Sequence, residues 1–342
     1  MKKITALLAI VLALLILPSC RRDLGYESQS FFAMDSFAEV RLYSDVPDPA
    51  AVLARAKELI GNIETAVSAQ KEGGDTHALN ASDTGILEAS PYLVELLAIS
   101  EEMIQITEGS FDVRTGALLS LWKNCETEQR LPTSEELEAA IALIAATVSN
   151  EETGISKSAP RAELDFGAIG KGYTADKVTQ MLRDSGVTCG MISFVSTVTV
   201  FGEREQGAFR IAIRRPDTSG AIAGYIPLQD ESLSVSGDYE RFYEINGEKY
   251  PHILDPKTGL PAESGIHSAA VVAPKGAVAD ALSTAIMVMG VEKTAALYNS
   301  RALDFEAVIF LDDTILVTDG MIDRFELADE GYQILPLSQY TQ

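Results

Sequence analysis

RFYEINGEKYPHILDPKTGLPA runs from Arg241 to Ala262. Phe242, Tyr243 and Ile245 lead into Asn246-Gly247, and Tyr250 and Ile253 follow. Asn-Gly between two β-prone runs predicts a tight hairpin, because a type I′ turn needs positive φ at both central positions. The strand then ends in His252-Ile253-Leu254-Asp255-Pro256-Lys257-Thr258-Gly259. A plain turn needs only the proline and the glycine. A histidine, a carboxylate, a cation and a hydroxyl within eight residues ask for a further reason.

Upstream of this hairpin, Met191 to Ile253 reads as successive strands. Downstream, Ala277 to Met289 is helical, and Glu306 to Val317 is a strand pair turning at Asp312-Asp313. Nearer the start, Phe31 to Tyr43 alternates as one strand. Asp48-Pro49 opens a helix with an N-cap and a proline at the first helical position. Val52, Leu53, Ala56, Leu59, Ile60, Ile63 and Val67 follow its apolar spacing. Lys71 to Asn80 reads as a polar loop. A second helix starts near Pro91, turns Leu93, Leu96, Leu97 and Ile104 inward, and stops near Gly109. Thr133-x-x-Glu136 is a capping box that opens another. Ile169 to Ser185 is helical and ends at Gly186. No internal repeat or low-complexity stretch stands out. Helices and strands come in blocks, which favours an α+β fold over a doubly wound sheet.

The chain has 342 residues, 46% of them hydrophobic, enough for a substantial core. Its formal net charge of -23 argues against a nucleic-acid partner, which would need a basic surface. Lys2 and Lys3 precede the apolar run Ile4 to Leu17, which has the length of a signal-peptide core and is short for a bilayer span. Leu17-Pro18-Ser19-Cys20 resembles a bacterial lipobox. Residues 1–19 are therefore expected to be a cleaved signal peptide, with lipid on Cys20, and residues 20–30 a tether before one domain over 31–340. Cys125 and Cys189 remain, as buried thiols or as a single bridge.

Four constellations carry possible chemistry. LDFGAIGKGYTADK, Leu164 to Lys177, combines small residues, a helix start and Lys171. It is neither a Walker A nor a G-x-G-x-x-G pattern. It reads as a turn packing a helix on a strand, or as a backbone that approaches a phosphate. ADALSTAIMVMG, Ala279 to Gly290, sets Asp280 and Thr284 on one face of an otherwise apolar helix. The pair suits a helix cap, or oxygen ligands for Mg2+. The hairpin end holds His252, the histidine with the richest polar company among His77, His252 and His267. GSFDVRTGALLSLW, Gly109 to Trp122, places Asp112 after an inward Phe111 and before a glycine turn.

Taken together and in this order, the motifs resemble those of the ApbE-like FAD:protein FMN transferases, also known as thiamine biosynthesis lipoproteins. FFAMDSFAEV, GSFDVRTGALLSLW, LDFGAIGKGYTADKV, VSGDYERFYEINGEKYPHILDPKTGLPA and ADALSTAIMVMG carry the resemblance, over most of the chain beyond residue 30. It implies an α+β, T-fold-related architecture of mixed sheets and packed helices with a flavin site between two halves. It implies Mg2+-dependent transfer of FMN from FAD to a threonine hydroxyl of acceptor proteins in extracytoplasmic redox systems, with release of AMP. The enzyme would sit on the extracytoplasmic face of a bacterial membrane, held by its lipid.

Residue by residue, the resemblance implies that Asp165 and Lys171 contact FAD. The Ala168 carbonyl, Asp280 and Thr284 would hold Mg2+. Met34, Gln70, Ser110, Phe111, Asp112 and the backbone at Leu254 would form the flavin side. His252 and Asp255 would take the chemical roles. The chain departs from the family pattern at Gln70, where an aromatic is usual, and at Val195-Ser196-Thr197, where Gly-Gly-Asn is usual. It also has Arg114 for threonine and Pro251 for a first histidine. The phosphate and metal elements are kept while the flavin side is altered. An FAD pyrophosphatase giving FMN and AMP, and a non-catalytic flavin-binding lipoprotein, remain alternatives.

Overall fold

The computed structural model describes residues 25–146, 148–151, 154–217, 219–239 and 241–340. Residues 1–19, expected to be a signal peptide, and Cys20 lie outside them. Seventeen strands follow in chain order: β1 (Glu27–Ala33), β2 (Ser36–Leu42), β3 (Gly85–Leu87), β4 (Val148–Glu151), β5 (Gly154–Lys157), β6 (Gly190–Phe194), β7 (Thr197–Phe201), β8 (Phe209–Arg214), β9 (Ile222–Leu228), β10 (Ser232–Gly237), β11 (Phe242–Ile245), β12 (Glu248–Pro251), β13 (Ser268–Ala273), β14 (Glu306–Phe310), β15 (Thr314–Val317), β16 (Glu326–Leu327) and β17 (Gln333–Pro336). The helices are α1 (Pro49–Val67), α2 (Asp75–Ala81), α3 (Pro91–Ile106), α4 (Gly116–Thr127), α5 (Ser134–Ile144), α6 (Gly170–Asp184) and α7 (Gly276–Ser300).

One nine-stranded sheet, ordered β1-β2-β6-β7-β10-β13-β14-β15-β17, organises the molecule. Its last pair, β15 with β17, is parallel, and its other pairs are antiparallel. The interior strand β13 is buried along its whole length, so alternate side chains feed two cores. Ala269, Val271 and Ala273 pack with apolar residues of α1, α3 and α7. Ala270 and Val272 face the other way, onto Phe209 and Ile213 of β8 and Ala223 and Ile226 of β9. The sheet β16-β9-β8 thus covers one face and helices the other. This is the α+β class expected from the blocks.

Several local expectations hold because their chemistry is local. Asn246 and Gly247 sit at φ 53° and 83° between β11 and β12. Asp48 caps α1 through Ala51 N–H at 3.1 Å, and Thr133 and Glu136 form a complete capping box on α5. Other readings change. Phe31–Tyr43 is not one strand: Met34 and Asp35, at φ 55° and 52°, turn it into the β1-β2 hairpin. Residues 27–30 belong to β1 and not to a tether, since an edge strand tolerates their polar face. The loop over 71–80 contains α2, in which only Thr76 and Leu79 are buried. Gly116–Thr127 is helical, with Leu118, Trp122 and Cys125 inward. The α7 helix breaks at Gly290 (φ 78°, ψ 177°), just past the expected Met289. Cys125 and Cys189 are buried free thiols, which removes the bridge.

Candidate active site

Two helix starts cross at a pair of glycines. A Cβ on Gly172 would lie 2.0 Å from the Gly276 carbonyl oxygen, and one on Gly276 would lie 2.5 Å from the Gly172 carbonyl oxygen. Only glycine allows that approach. Each helix then caps the other. Asp280 of α7 accepts from Gly172 N–H at 2.9 Å. Asp176 of α6 accepts from Gly276 N–H at 2.7 Å and Ala277 N–H at 3.0 Å. These amides are among the four each helix start leaves without an internal partner. Burial raises the Asp176 pKa, and the two amide donors oppose that rise.

Asp280 is 4% exposed. Its other oxygen accepts from Ser234 Oγ at 2.7 Å and Thr197 Oγ1 at 3.1 Å. All three partners are neutral, so the buried carboxylate keeps an uncompensated charge, which is costly unless a cation joins it. Thr284 follows one turn on, with its hydroxyl 3.2 Å from Ser236 Oγ. Ala168 precedes α6 beside the same cleft. A carboxylate, a hydroxyl and a backbone carbonyl are hard oxygen donors, suited to Mg2+ with water completing its shell. Among the described residues no three acidic, histidine or cysteine side chains converge as a metal cluster, here or elsewhere, so the carboxylate here would share the ion with a hydroxyl and a carbonyl. The donor set fits the ion.

These groups open on a cleft of about 1630 Å3, larger than the roughly 300–1,000 Å3 of common small-ligand pockets. Met34, Gln70, Ser110, Phe111, Asp112, Asp165, Ala168, Lys171, His252, Leu254, Asp280 and Thr284 all line it. Asn80 clamps its 164–171 wall, accepting from Leu164 N–H and donating to the Leu164 carbonyl, both at 2.8 Å. Lys157, its pKa lowered by burial, donates to the carbonyls of Pro160 and Ala162. Asp165 accepts from Gly167 N–H at 2.8 Å. Asp112 is held by Arg114, which donates through Nε at 2.8 Å and Nη2 at 2.6 Å. Lys171, Lys123 and Arg214 line the cleft without a carboxylate partner among the described residues. Such cations suit a phosphate-bearing ligand.

The hairpin end now has its reason. Asp255 lies outside the cleft lining and builds the turn: it accepts from Lys257 N–H at 2.8 Å, and its carbonyl accepts from Gly259 N–H. Gly259 (φ 70°) in turn accepts from Trp122 Nε1–H at 2.8 Å, and Trp122 stacks on Tyr243 with centroids 5.5 Å apart. Thus α4 grips both ends of the hairpin. What the turn presents to the cleft is His252. Its Nδ1 lies 2.9 Å from the Arg241 carbonyl, which only a protonated nitrogen satisfies. In the neutral ring, Nε2 then holds the free lone pair. Burial lowers the His252 pKa, against the bond to Arg241, and the Arg241 and Lys171 charges lower it further.

Sequence reasoning missed Ser234, Asp176 and Arg214, and it took Thr197 as a flavin-side departure, whereas the Thr197 hydroxyl donates to Asp280. One signal existed for Asp176: Lys-Gly-x-x-Ala-Asp occurs twice, at 171–176 and 275–280. The strand hydroxyls and Arg214 carry no such mark, since an exposed arginine on a strand reads as a solvated face.

The ApbE family model matches residues 34–309. An FAD:protein FMN transferase from Treponema pallidum is 29% identical over 89% of this chain and 90% of its own length. The apo flavinyl transferase ApbE from Pseudomonas stutzeri superposes with a TM-score of 0.75 at 26% identity, covering 89% of this chain and 98% of that one. The flavin transferase ApbE from Vibrio cholerae has the same fold, with a TM-score of 0.75 at 23% identity over 87% and 99% of the two chains.

Proposed function

The chain belongs to the ApbE family, and on that premise we propose that it transfers FMN from FAD to a threonine hydroxyl of acceptor proteins, releasing AMP. The observation that carries this reading is one cleft joining the buried Asp280 to Thr284, Ala168, His252 and three cations that have no carboxylate partner among the described residues. Lys171, Lys123 and Arg214 bind and orient the pyrophosphate. The acceptor hydroxyl gives its proton to His252 Nε2 as its oxygen bonds to the FMN-side phosphorus. The bond from that phosphorus to the AMP oxygen breaks, and AMP leaves. Asp280, Thr284 and the Ala168 carbonyl would hold Mg2+, which when bound polarises the pyrophosphate and offsets charge on the leaving group. Ser234, Thr197 and Gly172 N–H keep Asp280 aimed.

The proposed location is the extracytoplasmic face of a bacterial membrane, reached through a lipid on Cys20. No helix among the described residues is long and apolar enough to cross a membrane; the proposed lipid anchor rests on the Leu17-Pro18-Ser19-Cys20 sequence.

The test is incubation of purified protein with FAD, Mg2+ and an acceptor domain. Covalent FMN on the acceptor and equimolar AMP are expected, and Asp280→Ala should abolish both. AMP without acceptor mass means hydrolysis, and neither product means binding alone. Turnover of Asp280→Ala at the wild-type rate would remove the metal assignment.

A further inference from the structure

We propose that Arg114 is a positioning residue: it locks Asp112 so that one carboxylate oxygen is held ready for a hydrogen-bond donor on the flavin half of FAD. This deepens the transferase reading above and rests on its use of FAD, with residues 110–112 on the flavin side. Arg114 stands where the chain departs from its family's usual threonine. Three donors reach the Asp112 carboxylate among the described residues, and all belong to Arg114. Its backbone N–H donates to Oδ1 at 2.9 Å, its Nε to Oδ1 at 2.8 Å and its Nη2 to Oδ2 at 2.6 Å. A planar guanidinium meets a carboxylate in a fixed fork, which an ammonium does not impose.

The two partners face different ways. Asp112 lines the cleft, with a side chain only 4% exposed. Arg114 is not part of that lining; it borders a separate pocket of about 260 Å3 with Glu101 and Gln105 of α3. The arginine therefore reaches a ligand only through Asp112. A carboxylate offers about four acceptor positions, so roughly one stays open, on Oδ2. The same contact steadies a second wall residue. Asp112 caps the single 3-10 turn Val113–Thr115, and the Val113 carbonyl accepts from Asp165 N–H at 2.8 Å. Charge then selects the ligand group. Asp112, Glu163 and Asp165 all line this wall, which disfavours a phosphate there. What meets the open Oδ2 is a neutral N–H or O–H. The flavin half of FAD supplies both, in its ring imide and its ribityl hydroxyls.

The experiment measures FAD and ADP affinities by calorimetry on the full protein. Arg114→Met, without donors on its side chain, should weaken FAD by about tenfold and leave ADP unchanged. Arg114→Lys keeps the charge without the fork, and its FAD affinity should fall between the two. If Arg114→Met does not fold, Arg114→Lys carries the same test, with its ADP affinity showing an intact cleft. In an Asp112→Ala background, Arg114→Met should cost no further FAD affinity, because the arginine acts through that carboxylate. Wild-type FAD affinity in Arg114→Met overturns the proposal. So does equal weakening of ADP, which would mark a general loss of the cleft. Full recovery in Arg114→Lys would make charge alone sufficient and overturn it too, as would a further loss in the Asp112→Ala background. A wild type that binds no FAD removes the transferase reading and this proposal together. A wild type that flavinylates an acceptor, with FAD affinity unchanged in Arg114→Met, removes the Arg114 assignment alone.

Discussion

His252 meets the Arg241 carbonyl through Nδ1, and that single bond decides which nitrogen can act as a base. Removing a general base typically costs about 10²–10⁴ in rate, so His252→Gln should lose that much transfer while its FAD affinity holds. Calorimetry and single-turnover transfer separate the two effects. The active form is the neutral ring, and burial lowers its pKa. The acid limb of single-turnover transfer should therefore have its midpoint below the ordinary histidine value of about 6.5. A midpoint above that value would assign the limb to another group. Gln70 lines the same cleft, exposed, with its backbone N–H donating to Ser68 Oγ at 3.3 Å. An aromatic contact is worth about 0.5–1.5 kcal/mol, so Gln70→Tyr should tighten FAD by up to about tenfold and leave ADP unaffected. Equal tightening of ADP and FAD would show that residue 70 does not meet the flavin ring.

Elements, not single residues, place the carboxylate of the site. The α6 and α7 helices touch at Gly172 and Gly276 and exchange caps through Asp280 and Asp176. Gly172→Ala would drive a methyl into backbone and force the helices apart. Overpacking of this kind costs about 1–3 kcal/mol or more. The variant should show a lower Tm and a loss of AMP release that raised Mg2+ does not restore. Gly61 in α1 has open space around it, so Gly61→Ala should be neutral or stabilising by roughly 0.5–1 kcal/mol. A similar Tm drop in both would mean the helix crossing is not the cause. A second clamp is pH-dependent. His267 bridges Asp238, after β10, and Asp312, in the β14-β15 turn, at 2.8 and 3.0 Å. Burial opposes its charge, but the two carboxylates outweigh burial and raise its pKa. A raised histidine pKa contributes stability that is complete below about 6.5 and is lost as pH rises through the folded value. Tm should fall across that interval, and His267→Gln should flatten the fall. An unchanged slope in the variant would assign the titration elsewhere.

At the scale of the whole molecule, one sheet carries cores on both faces, and the cleft opens where helix starts, strand turns and the β11-β12 hairpin meet. The proposed lipid anchor would hold that whole body at a membrane surface. Expressed in a bacterium, the wild type should partition with membranes, and Cys20→Ala should move it to the soluble fraction. A wild-type N-terminal peptide without lipid mass would refute the anchor.

Sequence alone was enough wherever a feature closes within a few residues. The Asn246-Gly247 turn, the Asp48 and Thr133 caps and the inward face of α1 depend on neighbours a turn away, and a side chain's period records which side meets water. Asp280, Thr284, Lys171 and His252 could be picked out as chemical residue types at telling positions, and their motifs pointed to the family. Only the tertiary structure decided what they touch. Gly172 N–H reaches Asp280 across 108 positions, Thr197 across 83 and Ser234 across 46. No periodicity encodes such pairings, because they depend on how separately folded elements pack. The same holds for Asp255, whose place in the chain resembles that of a reactive carboxylate. Its bonds to Lys257, Gly259 and Leu260, with Trp122 gripping Gly259 from another helix, make it the frame that presents His252.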